Sequence, residues 1–239
     1  MKKVFVLALA FMLMIPAALS STEYENEIQF RSTPWGISFT EADEVFSEYG
    51  LMGMTGESMK FYPIVQLYSD TYDWDSSPEY HDINIIGNCW NKEFEVAGYK
   101  TSDIRLHFAY KVVDGVITHE EPDSMMYGAQ YIFEPADADS MVNDLTSKLS
   151  GLYGDIDKDG TRSLNGIWDY KWWIWNGANN TAVSLTWEDC INGEYKDKVW
   201  ISYFTYEGDD WLYAASDGEK ERLLREERAG AASGNTDGL

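Results

Sequence analysis

"LYGDIDKDG", residues 152–160, carries Asp155, Asp157 and Asp159 ahead of Gly160, the spacing that opens an EF-hand calcium loop. As an EF-hand it would be flanked by two helices. As an acidic turn it would carry the chain from a helix into a sheet. Position 12, where an EF-hand needs a bidentate Glu, is Gly166, and position 8, normally apolar, is Arg162. The chain then alternates in β fashion from Ile167, so no second helix is expected. The stretch therefore reads as a solvated turn. Calcium held by Asp155, Asp157 and Asp159 in a loop of another type is the runner-up.

An earlier stretch bears on the same point. Cys89 and Cys190 stand 101 residues apart, within Cys89-Trp-Asn91-Lys-Glu93 and Cys190-Ile-Asn192-Gly-Glu194. At that offset Gly50-Leu51-Met-Gly53 falls on Gly151-Leu152-Tyr-Gly154, and Gln29, Pro34, Asp43 and Trp74 fall on Gln130, Pro135, Asp144 and Trp175. Nine identities besides the cysteine, where about four are expected from ordinary residue frequencies, point to an internal duplication. Gly-Leu-x-Gly is then a helix stop shared by both halves, and only the acidic tail is particular to the second.

Each half reads as a short strand (Ile28 to Phe30; Gln130 to Phe133), a proline and a helix. In the first helix Thr40 is the expected cap, with Asp43 at N3. In the second, Asp137 or Asp139 caps a helix whose Met141, Leu145, Leu149 and Leu152 recur at helical spacing. Gly50 and Gly151 would end the two helices. Strands are expected over 82–90, 102–110, 124–133, 167–176, 181–189 and 198–206, with a hairpin turn near Asn176-Gly177. The fold class is α+β: two tandem repeats, each one helix packed on an antiparallel β-sheet. The boundaries are 1–20 signal peptide, 21–120 first repeat, 121–215 second repeat and 216–239 a charged helix with a disordered tail. Leu223 and Leu224 are the residues with which that helix would dock.

Lys2 and Lys3, the apolar run Val4 to Ile15, Pro16 and the small residues Ala18 and Ser20 form a secretory signal, too short for a membrane span. Its removal takes Lys2 and Lys3 and moves the formal charge from −23 to −25. Such acidity excludes a nucleic-acid partner, which needs a Lys/Arg footprint. After signal removal no membrane insertion is expected, and the localisation is secreted or otherwise extracytoplasmic. Outside the cytosol Cys89 and Cys190 can pair, and the bridge would add on the order of 4 kcal/mol. Two buried free thiols fit the sequence equally.

Neither the three histidines nor any serine or cysteine sits in a catalytic or zinc-binding pattern. His107 lies on the polar side of its strand. With forty-one acids, carboxylate pairs are uninformative. The distinctive chemistry is aromatic. In "IWDYKWWIWNG" (167–177), Trp168, Tyr170 and Trp172 read as the core face. Trp173 and Trp175, interleaved with Asp169 and Lys171, read as the face toward water or a partner.

"IQFRSTPWGISFTEADEVF" (28–46) resembles the start of uncharacterised exported bacterial proteins with an FRxxPWGxS-type entry to a helix. The helix–Gly–sheet repeat is similar to the tandem units of β-lactamase-inhibitor-like and outer-membrane-assembly lipoprotein domains. Here the units are longer, each holds one cysteine, and the second reads Pro135-Ala136-Asp137 in place of PWG. The resulting expectation is an exported, non-enzymatic binding module without a cofactor. It would recognise a protein or envelope component through Trp173, Trp175, Asp169 and Lys171. Carbohydrate binding or processing, and a calcium-dependent surface protein, are the alternatives.

Overall fold

The computed structural model describes residues 24–55, 83–89, 94–164, 167–191, 193 and 195–234. The expected signal segment, Trp74, His81, Asn91, Glu93, Gly166, Asn192, Glu194 and residues 235–239 lie outside these. The chain enters at Ile28 and Phe30, both in the core. Isolated bridges, Glu27 to Ala178 and Phe30 to Thr33, stand here where a ladder strand was expected. Between Phe30 and Thr33 the chain reverses, Thr33 N–H donating to the Phe30 carbonyl at 2.9 Å. Arg31 and Ser32 take φ of 51° and 59° there. Left-handed backbone costs a residue with a Cβ about 1 kcal/mol or more.

Helix α1 (Phe39–Val45) is opened by Ser38, two residues before the expected Thr40. Ser38 Oγ accepts from Glu41 N–H, and Glu41 Oε2 accepts from Ser38 N–H at 2.7 Å. This reciprocal capping box satisfies two backbone donors that the first turn leaves unpaired. After a 3-10 turn, Ser47–Tyr49, Gly50 at φ 64° stops the helical run as expected. Then follow β1 (Leu51–Thr55), β2 (Asn84–Cys89), the hairpin β3 (Glu95–Val96) and β4 (Tyr99–Lys100), β5 (Asp103–Tyr110), the hairpin β6 (Val112–Val113) and β7 (Val116–Ile117), and β8 (Ser124–Phe133).

Helix α2 (Ala138–Tyr153) is capped by Asp137 and buries Met141, Val142, Leu145 and Leu149. Leu152, expected on the buried face, is 65% exposed, and Gly151 lies inside the helix, which stops at Gly154, at φ 91°. The acidic stretch leads straight into β9 (Lys158–Leu164), followed by β10 (Trp168–Gly177), β11 (Thr181–Cys190) and β12 (Lys198–Thr205). Asn179 and Asn180, both at φ 55°, turn β10 into β11. The last helix, α3 (Glu207–Gly234), begins nine residues before the expected 216. Its buried contacts are Leu212 and Ala215, while Leu223 and Leu224 face outward.

Eight strands make one antiparallel sheet in the order β1-β2-β5-β8-β12-β11-β10-β9. The four that follow α1 fill one half, and the four that follow α2 fill the other. Their last members, β8 and β12, pair at the middle from Phe133–Val199 to Gly128–Phe204. The architecture is α+β around this eight-stranded sheet, with β3–β4 and β6–β7 as separate two-stranded hairpins. The 101-residue offset does not superpose these strands, because Cys89 ends the second strand of its set and Cys190 the third of its own.

Ser38→Ala is expected to lower stability by about 1 kcal/mol, with Thr40→Ala changing it by less than half as much, in paired urea denaturations. Equal effects would contradict the capping geometry.

Candidate functional site

In a pleated sheet, side chains opposite one another across a ladder share a face. Trp175 lies opposite Val183, Val183 opposite Tyr203, and Tyr203 opposite Ala129. On this face α2 packs over β10, β11 and β12, and α1 meets the β1–β8 half, with Phe39 against Phe108. Trp175 is 0% exposed, and its indole N–H points at Ser150 Oγ of α2, 3.3 Å away. The expectation that Trp175 meets a partner is therefore corrected, since burying its indole is what holds α2 to β10.

The rest of that expected set sits on the same helix-covered face. Trp173 is half-buried against the core. Lys171 pairs with Asp189 at 3.3 Å and lies 3.8 Å above the Trp187 ring. Asp169 accepts from Ser163 Oγ. These are neighbours knit to the sheet by their own contacts, with Trp175 enclosed and Trp173 partly buried.

The opposite face carries the residues that alternation had assigned to the core. Trp168 and Tyr170 are half-buried there, and only Trp172, at 3% exposure, is enclosed. Trp172 lies across Gly160 of β9, where a Cβ would come within 2.4 Å of its ring. Across the ladder, Tyr170 stands opposite Glu188, Trp172 opposite Thr186, and Thr186 opposite Trp200. The Tyr170 hydroxyl donates to Glu188 Oε1 at 2.8 Å, and the Tyr170 and Trp200 rings are 6.4 Å apart. Burial and the neighbouring Glu188 carboxylate push the Tyr170 phenol far above its ordinary range, so it stays a donor. Trp168 also meets Tyr195, at 5.4 Å between ring centres. Trp200, Thr186 and Glu188 escaped the sequence reading, although Trp200 alternates with Val199 and Ile201 in a way that marks it for this face.

Helix α3 packs on β5, β6, β7 and β8, with Gly208 against the ring of Tyr127. Beneath it, His107 is buried rather than displayed on a polar surface, at 1% exposure. Gln130 donates through its amide nitrogen to Ser202 Oγ at 3.0 Å and turns its oxygen to His107 Nε2, also at 3.0 Å. This polar chain crosses β5, β8 and β12. Burial depresses the imidazole to about 3. The pairing of His119 with Glu219, 3.3 Å apart, ties the loop before β8 to α3.

Cys89 and Cys190 are not joined by a disulfide. Three strands separate β2 from β11, or roughly 19 Å at the usual strand spacing, against the ~5.5 Å between α-carbons that a disulfide needs. The expectation of a Cys89–Cys190 bridge is thereby corrected. Burial raises the Cys89 thiol to about 11. Asp157 accepts at 2.6 Å from the backbone N–H of Asn176, and Asp159 lies in β9 opposite Trp173. Among the described residues no three His, Cys, Asp or Glu side chains gather as a metal site would require, and no helix is long and apolar enough to cross a membrane.

No family model, curated protein or solved structure matches the chain. What bears on function is this geometry.

Two outcomes test it. Trp175→Ala should destabilise by about 3–5 kcal/mol in chemical denaturation, as removal of a buried Trp does, and Trp168→Ala by far less. His107 holds its neutral form when folded and takes a proton near pH 6.5 when unfolded. Its contribution is thus complete above pH 6.5 and is lost as pH falls toward 3, on the order of 4 kcal/mol in all. Asp209, raised to about 6 by burial and by Asp210, acts in the opposite sense. The comparison is therefore between wild type and His107→Gln: the variant should lose less stability from pH 6.5 to 4.5, and parallel curves would refute the assignment.

Proposed function

We propose that this chain is an exported, non-enzymatic binding module that recognises a protein or an envelope component through the β9–β12 part of the face that α1 and α2 leave uncovered. The carrying observation is the set of partly exposed rings Trp168, Tyr170 and Trp200, which border the buried Thr186 and Glu188 on rigid strands. Partly exposed Trp and Tyr rings held on rigid strands are the composition of protein hot spots, and Glu188 fixes the Tyr170 ring by accepting from its hydroxyl. The Trp200 indole N–H is buried without an acceptor among the described residues, so it is the ring of Trp200, not its N–H, that a partner would meet. The acidity of the chain favours a cationic partner.

The duplication belongs to the same proposal. Each unit is a helix followed by four sheet strands, and the two sheets join through their last strands, so the order reads the same from either edge. The division between units then falls between Phe133 and Asp137, beyond the expected 120. We extend the proposal to a likeness with β-lactamase-inhibitor-like domains, which rests on the sequence pattern alone and carries no inhibitor activity with it. A glycan is the second reading, favoured by the platform that Trp168 and Tyr195 form together, since sugar rings stack on such surfaces.

A photo-crosslinking residue at position 168, compared with one at the exposed Val45 of α1, separates these readings. Protein adducts from 168 alone are the expected result. Equal labelling from both positions would remove the open face as the site. Retention on insoluble peptidoglycan or plant polysaccharide, lost on Trp168→Ala, would decide for the glycan.

A further inference from the structure

Away from the open face, on the helix-covered side, Arg31 is an exposed cation in an unusual setting. Its guanidinium carbon lies 5.0 Å from the Phe94 ring centre, 5.3 Å from Tyr49, 5.8 Å from Tyr131 and 6.0 Å from Phe30. Arg31 Nε donates to the Tyr131 hydroxyl at 2.8 Å and Nη1 to the Tyr49 hydroxyl at 3.2 Å. Those bonds use two of the five guanidinium N–H donors. Two neutral phenols therefore fix the plane of the group without neutralising it. Among the described residues no carboxylate pairs with Arg31, in a chain with 41 acidic residues against 18 Lys and Arg. The Asp103 carboxylate, which the sheet places near Cys89, is already taken by Arg105 Nε at 2.8 Å.

We propose that Arg31 anchors a carboxylate-binding site, with Tyr49, Tyr131 and Phe94 as its frame, for a single carboxylate displayed by a peptide or protein. A guanidinium clamped among rings presents an edge of N–H groups, and a planar carboxylate matches such an edge with two parallel hydrogen bonds. A phosphate dianion fits less well, because its further oxygens and second charge meet no second cation of the frame. The overall charge of the chain also repels polyanions and so selects a lone carboxylate on an otherwise neutral or cationic partner. The left-handed turn at Arg31 and Ser32 serves the same end, since Asn-Gly would make that reversal without strain but would place no guanidinium on the rings. This site does not rest on the open-face proposal, and either can fail without the other.

The test is a titration followed by NMR at the Arg31 Nε–H resonance of the whole mature chain. The probes are acetate, N-acetylglycine, N-acetylglycinamide, inorganic phosphate and chloride. Saturable shifts with acetate and N-acetylglycine are expected, with none from the amide or chloride. Tyr49→Phe keeps the ring and frees Nη1, and should weaken the carboxylate affinity about threefold; Arg31→Lys should abolish the response. A response that is linear and equal in chloride would make Arg31 a turn-holding residue only. Tighter saturation by phosphate would overturn the carboxylate assignment.

Discussion

The pairing of β8 with β12 is the constraint on which the rest of the molecule depends. It joins the four strands after α1 to the four after α2, and its register sets which side chains of both halves share a face. Phe30 sits over this seam, with its ring 5.0 Å from Tyr131 of β8 and 5.7 Å from Tyr203 of β12. The N-terminal segment thus packs on both halves at once. Because the seam keeps the register, α1 and α2 lie on one side, and the aromatic rows of β10 and β12 are left together on the other.

Much of the fold was legible because its signals are local. Each expected strand rich in Trp, Tyr, Ile and Val that falls on described residues is a strand, and Asp137 caps α2 as its position implied. Gly50 ends its helical run for the stated reason, a left-handed backbone. Gly151 does not, because Gly-Leu-x-Gly offers two glycines and α2 extends to the second. The cysteines misled in a similar way. Their spacing pairs positions that the sheet does not pair, since the described strands from Leu51 to Cys89 are β1 and β2 whereas β9, β10 and β11 lie between Leu152 and Cys190.

The candidate site was only half legible. Alternation along "IWDYKWWIWNG" separates two faces correctly, yet both faces carry tryptophan, and nothing local says which one receives a helix. That is decided by α2, whose Ser150 meets Trp175 across 25 residues of chain. The chain His107–Gln130–Ser202 was invisible for the same reason, since its members lie on three strands from both halves. In the FRxxPWGxS stretch most motif positions have a packing role: Phe30 is core, the Trp35 indole donates to the Ile28 carbonyl at 3.0 Å, Gly36 takes φ 82° and Ser38 caps α1. Arg31 is held by the rings and hydroxyls of Tyr49 and Tyr131, with no carboxylate beside it among the described residues.

The seam also fixes an order of assembly. A chain made from its N-terminus completes β8 long before β12, so the first sheet waits with its most apolar strand as an open edge until residues 198–205 arrive. Almost every residue of β8 is buried in the finished molecule, and a strand of that kind is a template for pairing with other chains while it is bare. The two halves are therefore not independent in folding even if each has its own helix and strands. The dense negative charge acquires a second use during that interval, as mutual repulsion between half-made chains.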